Sequence, residues 1–243
     1  MTPLAQEWGL QIVPRHVGVI MDGNGRWAAG HGMLRSAGHR AGVEALREIV
    51  RASSDLGVEV LSLYAFSTEN WKRPQAEVRV LMDLLVEFLG REIDELDRNE
   101  VRIRFMGDVE SISGRITKSV RTALERTQDN TGLVMNIALN YGSRAEIVRA
   151  ARLLAEDVAA GRLSPDAVDE DAFSARLYTA GLPDPDLIIR TSGEFRLSNF
   201  LLYQSSYSEF LAPEVFWPDF NRDEYRKALL VYQARDRRFG GVK

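Results

Sequence analysis

Asp22-Gly23-Asn24-Gly25-Arg26-Trp27 is the first segment of the chain whose residue types could do chemistry. Its glycines let backbone amides approach a ligand closely, a common way of holding phosphate. Asp22 could hold Mg²⁺, which takes one or two carboxylates and completes its octahedron with phosphate oxygens and water. Arg26 offers a planar fork that fits phosphate. Arg35 and His39 follow at the start of a helical pattern, and helix N-termini favour anions. The same residues would also suit a glycine turn with a capping aspartate. Two better-known phosphate loops are missing. Ala28 stands where the third glycine of a Rossmann fingerprint belongs, and no P-loop signature occurs.

Ser67-Thr68-Glu69-Asn70-Trp71-Lys72-Arg73-Pro74 places polar groups, one aromatic and two cations just before a predicted helix. It reads either as an anion-and-apolar site or as a capped helix start with a packing tryptophan. In Arg190-Thr191-Ser192-Gly193-Glu194-Phe195-Arg196-Leu197-Ser198-Asn199 an arginine emerges from the apolar run Leu187-Ile188-Ile189, which is costly unless it meets an anion. Arg196, with serines between, could close a diphosphate clamp. Glu209 is a candidate second metal ligand or an arginine's counter-ion. These segments gather several arginines and few carboxylates, which two phosphate-bearing substrates explain better than one.

The elements that must position these residues follow from hydrophobic patterning. Short β-branched runs alternate with longer amphipathic stretches, the pattern of a mostly parallel α/β sheet. Strands are predicted near 16–22, 58–66, 101–106, 133–139, 186–191 and 200–204, with Glu209 following the last. Helices are predicted over 37–56, 74–98, 111–127, 144–160, 171–180 and from Asn221 to about 235; Ser143 and Glu146 form a capping-box pattern. In such sheets ligands bind beyond the carboxyl ends of the strands, where the three segments fall. His16 and His31 read as structural or solvated. No repeat or linker interrupts the pattern, so one α/β domain is expected.

Composition narrows the chemistry further. The 243 residues are 45% hydrophobic and 27% charged, with a net charge of −4, which argues against a general nucleic-acid binder. With no cysteine and three histidines, thiol catalysis, iron–sulfur clusters and multi-histidine metal sites are excluded or nearly so. A metal, if used, should be a hard cation on oxygen ligands. No run approaches the roughly 18 apolar residues of a membrane span, and no secretory signal is visible, so a cytoplasmic protein is expected.

Asp22-Gly-Asn-Gly-Arg-Trp27, Phe66-Ser-Thr-Glu-Asn-Trp71 and Arg190-Thr-Ser-Gly-Glu-Phe-Arg-Leu-Ser-Asn199 together resemble the cis-prenyltransferases, the family of the bacterial undecaprenyl diphosphate synthases. Asn140-Tyr-Gly142, Trp217-Pro-Asp-Phe220 and Arg237-Arg-Phe-Gly-Gly241 also look like family motifs, and the likeness runs from about Pro14 to Gly241. It implies a six-stranded, mainly parallel sheet flanked by helices, with a hydrophobic tunnel. Residues 1–13 then form an N-terminal extension and 14–243 the catalytic domain.

The implied reaction condenses isopentenyl diphosphate onto an allylic diphosphate, with farnesyl diphosphate as expected primer and a long cis-polyprenyl product. A short-chain product and a non-catalytic subunit of a heteromeric enzyme are the alternatives. By match, Asp22 binds Mg²⁺ at the allylic diphosphate, surrounded by Gly23, Asn24, Gly25, Arg26, Arg35 and His39, with Trp27 beside it. Ser67, Thr68, Glu69, Asn70, Trp71 and Arg73 fall at substrate positions, Asn70 orienting the reacting unit. Arg190, Arg196 and Ser198 match the isopentenyl diphosphate site, Leu197 a substrate-binding position, and Glu209 a metal ligand. The likeness further implies a homodimer, in which the Arg238-Phe-Gly240 tail reaches the partner's site, and transient contact with a membrane surface.

Overall fold

The structure is a computed structural model that describes residues 1–112 and 114–235. Its strands are β1 (His16–Ile20), β2 (Val60–Ser67), β3 (Arg102–Met106), β4 (Val134–Tyr141), β5 (Leu187–Arg190) and β6 (Glu209–Leu211). They form one sheet in the order β3-β4-β2-β1-β5-β6, every adjacent pair parallel. The α-helices among the described residues are α1 (Pro3–Glu7), α2 (Asn24–Gly30), α3 (Arg35–Leu56), α4 (Gln75–Arg98), α5 (Gly114–Thr127), α6 (Ser143–Ala159), α7 (Glu170–Ser174) and α8 (Arg222–Gln233). All five residues of β1 are buried, as a parallel sheet covered on both faces requires.

Helical periodicity places one apolar stripe of α3 (Ala45, Ile49, Ala52, Leu56) and one of α4 (Phe88, Leu89, Ile93, Leu96) against the same core as Val19, Leu61, Leu63 and Ile137. Helix α8 starts where expected, with the Asn221 side chain accepting from the N–H groups of Asp223 and Glu224 at 3.0 and 3.1 Å. Residues 1–13, set apart above as an extension, pack into this core as well. Ala5, Trp8 and Leu10 are buried, and Trp8 meets the Tyr225 ring edge-on at 6.4 Å.

Three local expectations need correction. The segment 200–204 is no strand; the sixth strand is Glu209–Leu211. Phe200 and Leu201 are fully buried, but φ is +49°, +65° and +48° at Ser198, Asn199 and Leu201, so the chain turns rather than extends. Their apolarity fills the core under Tyr64, whose ring stacks on Phe200 at 4.6 Å. The Ser143–Glu146 capping box does not form. The Ser143 hydroxyl accepts from Leu202 N–H, and buried Glu146 accepts from Tyr141, Gln204 and the Tyr178 N–H. Helix α7 ends at Ser174, and turns replace the rest of its expected length.

His16 is structural rather than solvated. It is buried in β1, with Nδ1 2.7 Å from the Pro183 carbonyl and Nε2 2.8 Å from Ser62 Oγ. Burial pushes its pKa down to about 4, against the raising effects of the Pro183 carbonyl and Asp186. The unfolded chain, with a histidine pKa near 6.5, therefore takes up a proton that the folded protein refuses. Stability should fall as pH drops from about 6.5 to 4, by up to about 3 kcal/mol from this residue. In urea unfolding at several pH values, His16→Gln should flatten that slope; an unchanged slope would assign the acid sensitivity to other groups.

Candidate active site

Register brings the first and third sequence segments together. β1 pairs with β5 so that Ile20 lies opposite Arg190, and the chain leaves both strands at the same sheet edge. Arg190, only 5% exposed, donates through Nη2 to Asp22 Oδ2 at 2.8 Å and through Nη1 to Ser198 Oγ and the Arg196 carbonyl at 2.5 and 2.7 Å. Arg26 spans the same ground, donating to Asp22 Oδ1 at 3.2 Å, Ser192 Oγ at 2.7 Å and Glu194 Oε1 at 2.9 Å. Arg196 also pairs with Glu194. Gly23 makes the tight exit possible. Its φ is +104°, and a Cβ there would sit 2.7 Å from the Phe216 ring.

Burial alone would raise the Asp22 pKa. Hydrogen bonds and charge from Arg190, the charge of Arg26 and the Gly23 N–H outweigh it, holding the carboxyl below its usual value. Asp22 is thus an ionised carboxylate facing a cationic pocket.

The second segment follows β2 as a 3₁₀ turn, Thr68–Lys72, with Ser67 as N-cap. Asn70 closes a capping box, its Oδ1 accepting from Ser67 N–H at 3.0 Å. The capped helix start is formed, and Ser67, Glu69 and Asn70 of this segment also line the cavity described next. Arg73, just past the turn, joins Arg35 and His39 around Glu77 of α4, at 2.7, 3.0 and 3.6 Å. His39 is held below its ordinary value mainly by burial, with Arg73 and Arg35 adding to the effect and Glu77 opposing it. Its Nε2 is buried with no hydrogen-bond partner. Sequence reading missed Glu77, although its place four residues after Arg73 in a predicted first turn was a signal.

These groups surround one cavity of about 860 Å³. Asp22, Arg26, Arg35, His39, Arg73 and Arg190 line one part; Val43, Leu46, Leu63, Leu81, Leu85, Phe88 and Ile137 line the rest. Gly23, Asn24, Gly25, Ser67, Glu69, Asn70 and Ser198 also border it. Val43 and Leu46 of α3 are contributors that sequence reading overlooked. Other expected residues stand outside the lining. Trp27 bonds to Asp219 at 2.8 Å and stacks on exposed His31. Trp71 bonds to Asn140 at 2.7 Å, while Thr68 sits in the turn and Arg196 and Leu197 border a smaller pocket.

Glu209 is not brought to Asp22. It pairs with Leu187 at the start of β5, three positions from Arg190, and among the described residues it forms an ion pair with Arg235 at 3.9 Å. Residues 237–241 lie outside the described residues. No cluster of three or more metal-ligating side chains occurs among the described residues. The described residues thus build no cage of several protein ligands for a cation, but one ionised carboxylate beside a cluster of arginines suits Mg²⁺, which commonly takes its other ligands from phosphate and water. The arrangement can hold diphosphate groups at its charged part and an apolar chain in its body.

Comparison with known proteins agrees with this geometry. Residues 20–240 match a family model described as "Putative undecaprenyl diphosphate synthase". An isoprenyl transferase of Clostridium perfringens is 56% identical over 231 residues, covering 95% of this chain and 91% of that protein. One from Brucella abortus is 56% identical over 230 residues, with the same coverage of 95% and 91%. Among solved structures, lavandulyl diphosphate synthase from Lavandula x intermedia, in complex with dimethylallyl diphosphate, superposes with a TM-score of 0.91 at 36% identity, over 93% of this chain and 98% of that one. A "probable undecaprenyl diphosphate synthase" from Campylobacter jejuni has a TM-score of 0.78 at 31% identity, over 95% and 100%. The fold, the charged-and-apolar cavity and these relatives make the chain a member of the isoprenyl transferase family, and a prenyltransferase.

Proposed function

We propose that this enzyme condenses isopentenyl diphosphate with an allylic diphosphate, using farnesyl diphosphate as primer, to make a long cis-polyprenyl diphosphate of the kind that carries cell-wall sugars. One observation carries the reading: a single cavity gathers four arginines, Arg26, Arg35, Arg73 and Arg190, with His39 beside them, and also has apolar walls. In the reaction the allylic C–O bond breaks and diphosphate leaves with the electron pair. The isopentenyl double bond supplies the electrons of the new C–C bond, and a proton passes from the isopentenyl unit to a diphosphate oxygen.

Asp22 would hold Mg²⁺, which when bound neutralises charge on the allylic diphosphate. Gly23, Asn24, Gly25, Arg26, Arg35 and His39 surround that diphosphate in this reading, and Arg190 and Ser198 take the isopentenyl diphosphate, with Arg196, outside the lining, holding Arg190 through its carbonyl. Cations fixed in place before the reaction stabilise charge as it builds on the leaving group. Ser67, Glu69, Asn70 and Arg73 set the isopentenyl unit against the allylic carbon, with Trp71 holding their turn from outside the lining through its bond to Asn140. Orientation of this kind contributes up to about 7–11 kcal/mol when ideal. Asn70 orients rather than accepts the proton, because a carboxamide is a poor base and its Oδ1 is committed to Ser67.

We further infer a homodimer, supported by the exposed Phe195 ring at 4.9 Å from Phe210 on the three-residue edge strand β6. Membrane-surface contact belongs to the same reading as the route for an apolar product. No helix among the described residues is long and apolar enough to cross a membrane.

Products formed from farnesyl diphosphate and labelled isopentenyl diphosphate with Mg²⁺, against an EDTA control, test the reading. A Mg²⁺-dependent ladder ending at one long chain is expected; no product from any allylic primer would overturn it. A shorter product is the second reading, favoured by Phe88. This buried ring lines both the main cavity and a second one of about 270 Å³ bordered by Arg47, Arg51, Glu92 and Glu95. Phe88→Leu should shift the distribution toward longer chains by opening this wall. An unchanged distribution would show that Phe88 does not end the tunnel.

A further inference from the structure

Two asparagines outside the residues assigned above hold the turn that carries Glu69, Asn70 and Trp71. Asn140 sits near the end of β4 and Asn199 in the loop after β5. Both have left-handed backbone, φ +51° and +65°, a region in which asparagine is several-fold enriched among non-glycine residues. Asn140 Oδ1 accepts from the Trp71 indole at 2.7 Å, while its Nδ2 donates to the Asp108 carbonyl at 2.8 Å and Ser111 Oγ at 3.0 Å. Asn199 Nδ2 donates to Glu69 Oε1 at 2.9 Å, and its Oδ1 accepts from Arg144 N–H at 2.8 Å. The Asn199 carbonyl also accepts from Ser143 N–H at 2.9 Å.

Each amide thus joins the turn to a different anchor, the loop after β3 in one case and the first turn of α6 in the other. Gly142 leaves room for the second link. A Cβ at that position would lie 2.7 Å from both Asn199 Nδ2 and Thr68 Oγ1. The neighbour of Asn199 is Ser198, whose hydroxyl accepts from Arg190. Burial would raise the Glu69 pKa, but the Asn199 amide and the nearby N–H and hydroxyl donors outweigh it and favour the ionised carboxylate.

We infer that Asn140 and Asn199 are positioning residues, a two-point clamp that fixes the Thr68–Lys72 turn and registers Glu69 against the Arg190–Ser198 pair. The inference rests on the reading of Glu69 as a substrate-side group. Catalytic constellations demand side chains held to within about half an ångström, and a turn of five residues has no core of its own to do so.

Asn199→Asp is the discriminating variant. Aspartate tolerates the left-handed backbone and still accepts from Arg144 N–H, but it sets a second carboxylate against Glu69. It should lower kcat by about tenfold or more, and Glu69→Gln should cost at least about tenfold less in the Asn199→Asp background than in wild type, a coupling expected of direct partners. Hydrogen exchange of residues 67–73 in the full-length protein, without substrate, should quicken in both Asn199→Asp and Asn140→Ala. Losses that multiply independently, or an unchanged exchange rate in this segment, would overturn the clamp. If wild-type protein made no product in the same assay, the functional reading would fall, and exchange alone would decide the clamp.

Discussion

Asp22→Ala is expected to reduce turnover by about a thousandfold or more while the protein remains folded. The carboxylate takes hydrogen bonds from Arg190, Arg26 and the Gly23 N–H, so its loss removes the negative charge around which the pocket is arranged. Removal of one well-placed electrostatic group of an active site commonly costs about 10²–10³ in rate. Loss of the group that would hold the metal should cost at least the upper end of that range. The stability cost is bounded because Arg190 keeps the Ser198 hydroxyl and the Arg196 carbonyl as acceptors. Breaking a fully buried ion pair costs about 3–5 kcal/mol, and the half-buried Asp22 should cost less.

Rates with labelled isopentenyl diphosphate, set beside thermal melts, separate the two effects. A variant that melts many degrees lower would make Asp22 a structural cap, and one that keeps its rate would remove it from the chemistry. Asp22→Asn, which keeps the shape and the Gly23 N–H acceptor, guards against misreading a folding defect. The depressed pKa adds a pH expectation. Stability from the Asp22–Arg190 pair is fully present above the unfolded carboxyl pKa near 3.9 and is lost only as pH falls through the lower folded value. Acid inactivation near pH 6 must then come from another group.

Arg190→Lys is expected to raise the KM for isopentenyl diphosphate by about tenfold or more, and that for the allylic substrate by less. The guanidinium is used as a fork. Nε and Nη2 face Asp22 at 3.3 and 2.8 Å, while Nη1 holds Ser198 Oγ and the Arg196 carbonyl. A lysine brings one strongly hydrated point charge and cannot meet both sides of this arrangement. Since Arg190 is buried, the ammonium would also lose hydration that the guanidinium needs less. Steady-state titration of each substrate at saturating concentrations of the other reads the result. An unchanged isopentenyl diphosphate KM would remove Arg190 from that site, and a rise confined to the allylic substrate would reassign it.

Much of this molecule was legible from residue order alone, and the reasons are local. Val17-Gly-Val-Ile20 and Leu187-Ile-Ile189 are short β-branched runs that fit strands buried on both faces, and the apolar stripe of α4 repeats with helical period. Asn221 announces its helix because its side chain reaches N–H groups two and three residues on. Glycines beside an aspartate and arginines after apolar runs mark where strands end and ligands can bind. All these signals act over a few residues, so a few residues suffice to reveal them.

What tertiary structure decided is whatever depends on contacts far apart in sequence. Asp22 and Arg190 meet across 168 positions because β1 and β5 happen to be neighbours in register, which no local pattern states. The same pairing, extended to β6, carries Glu209 away from Asp22. Phe200 and Leu201 are as apolar as a strand, yet left-handed backbone at Ser198, Asn199 and Leu201 itself turns them into core filling for another element. Ser143 and Glu146 matched a helix cap, but buried donors from Leu202, Tyr178 and Gln204 claimed their oxygens first. Sequence by itself determined the chemical character of the site; only the packed sheet decided which of its charges face one another, because a buried polar group takes the partner that the fold delivers.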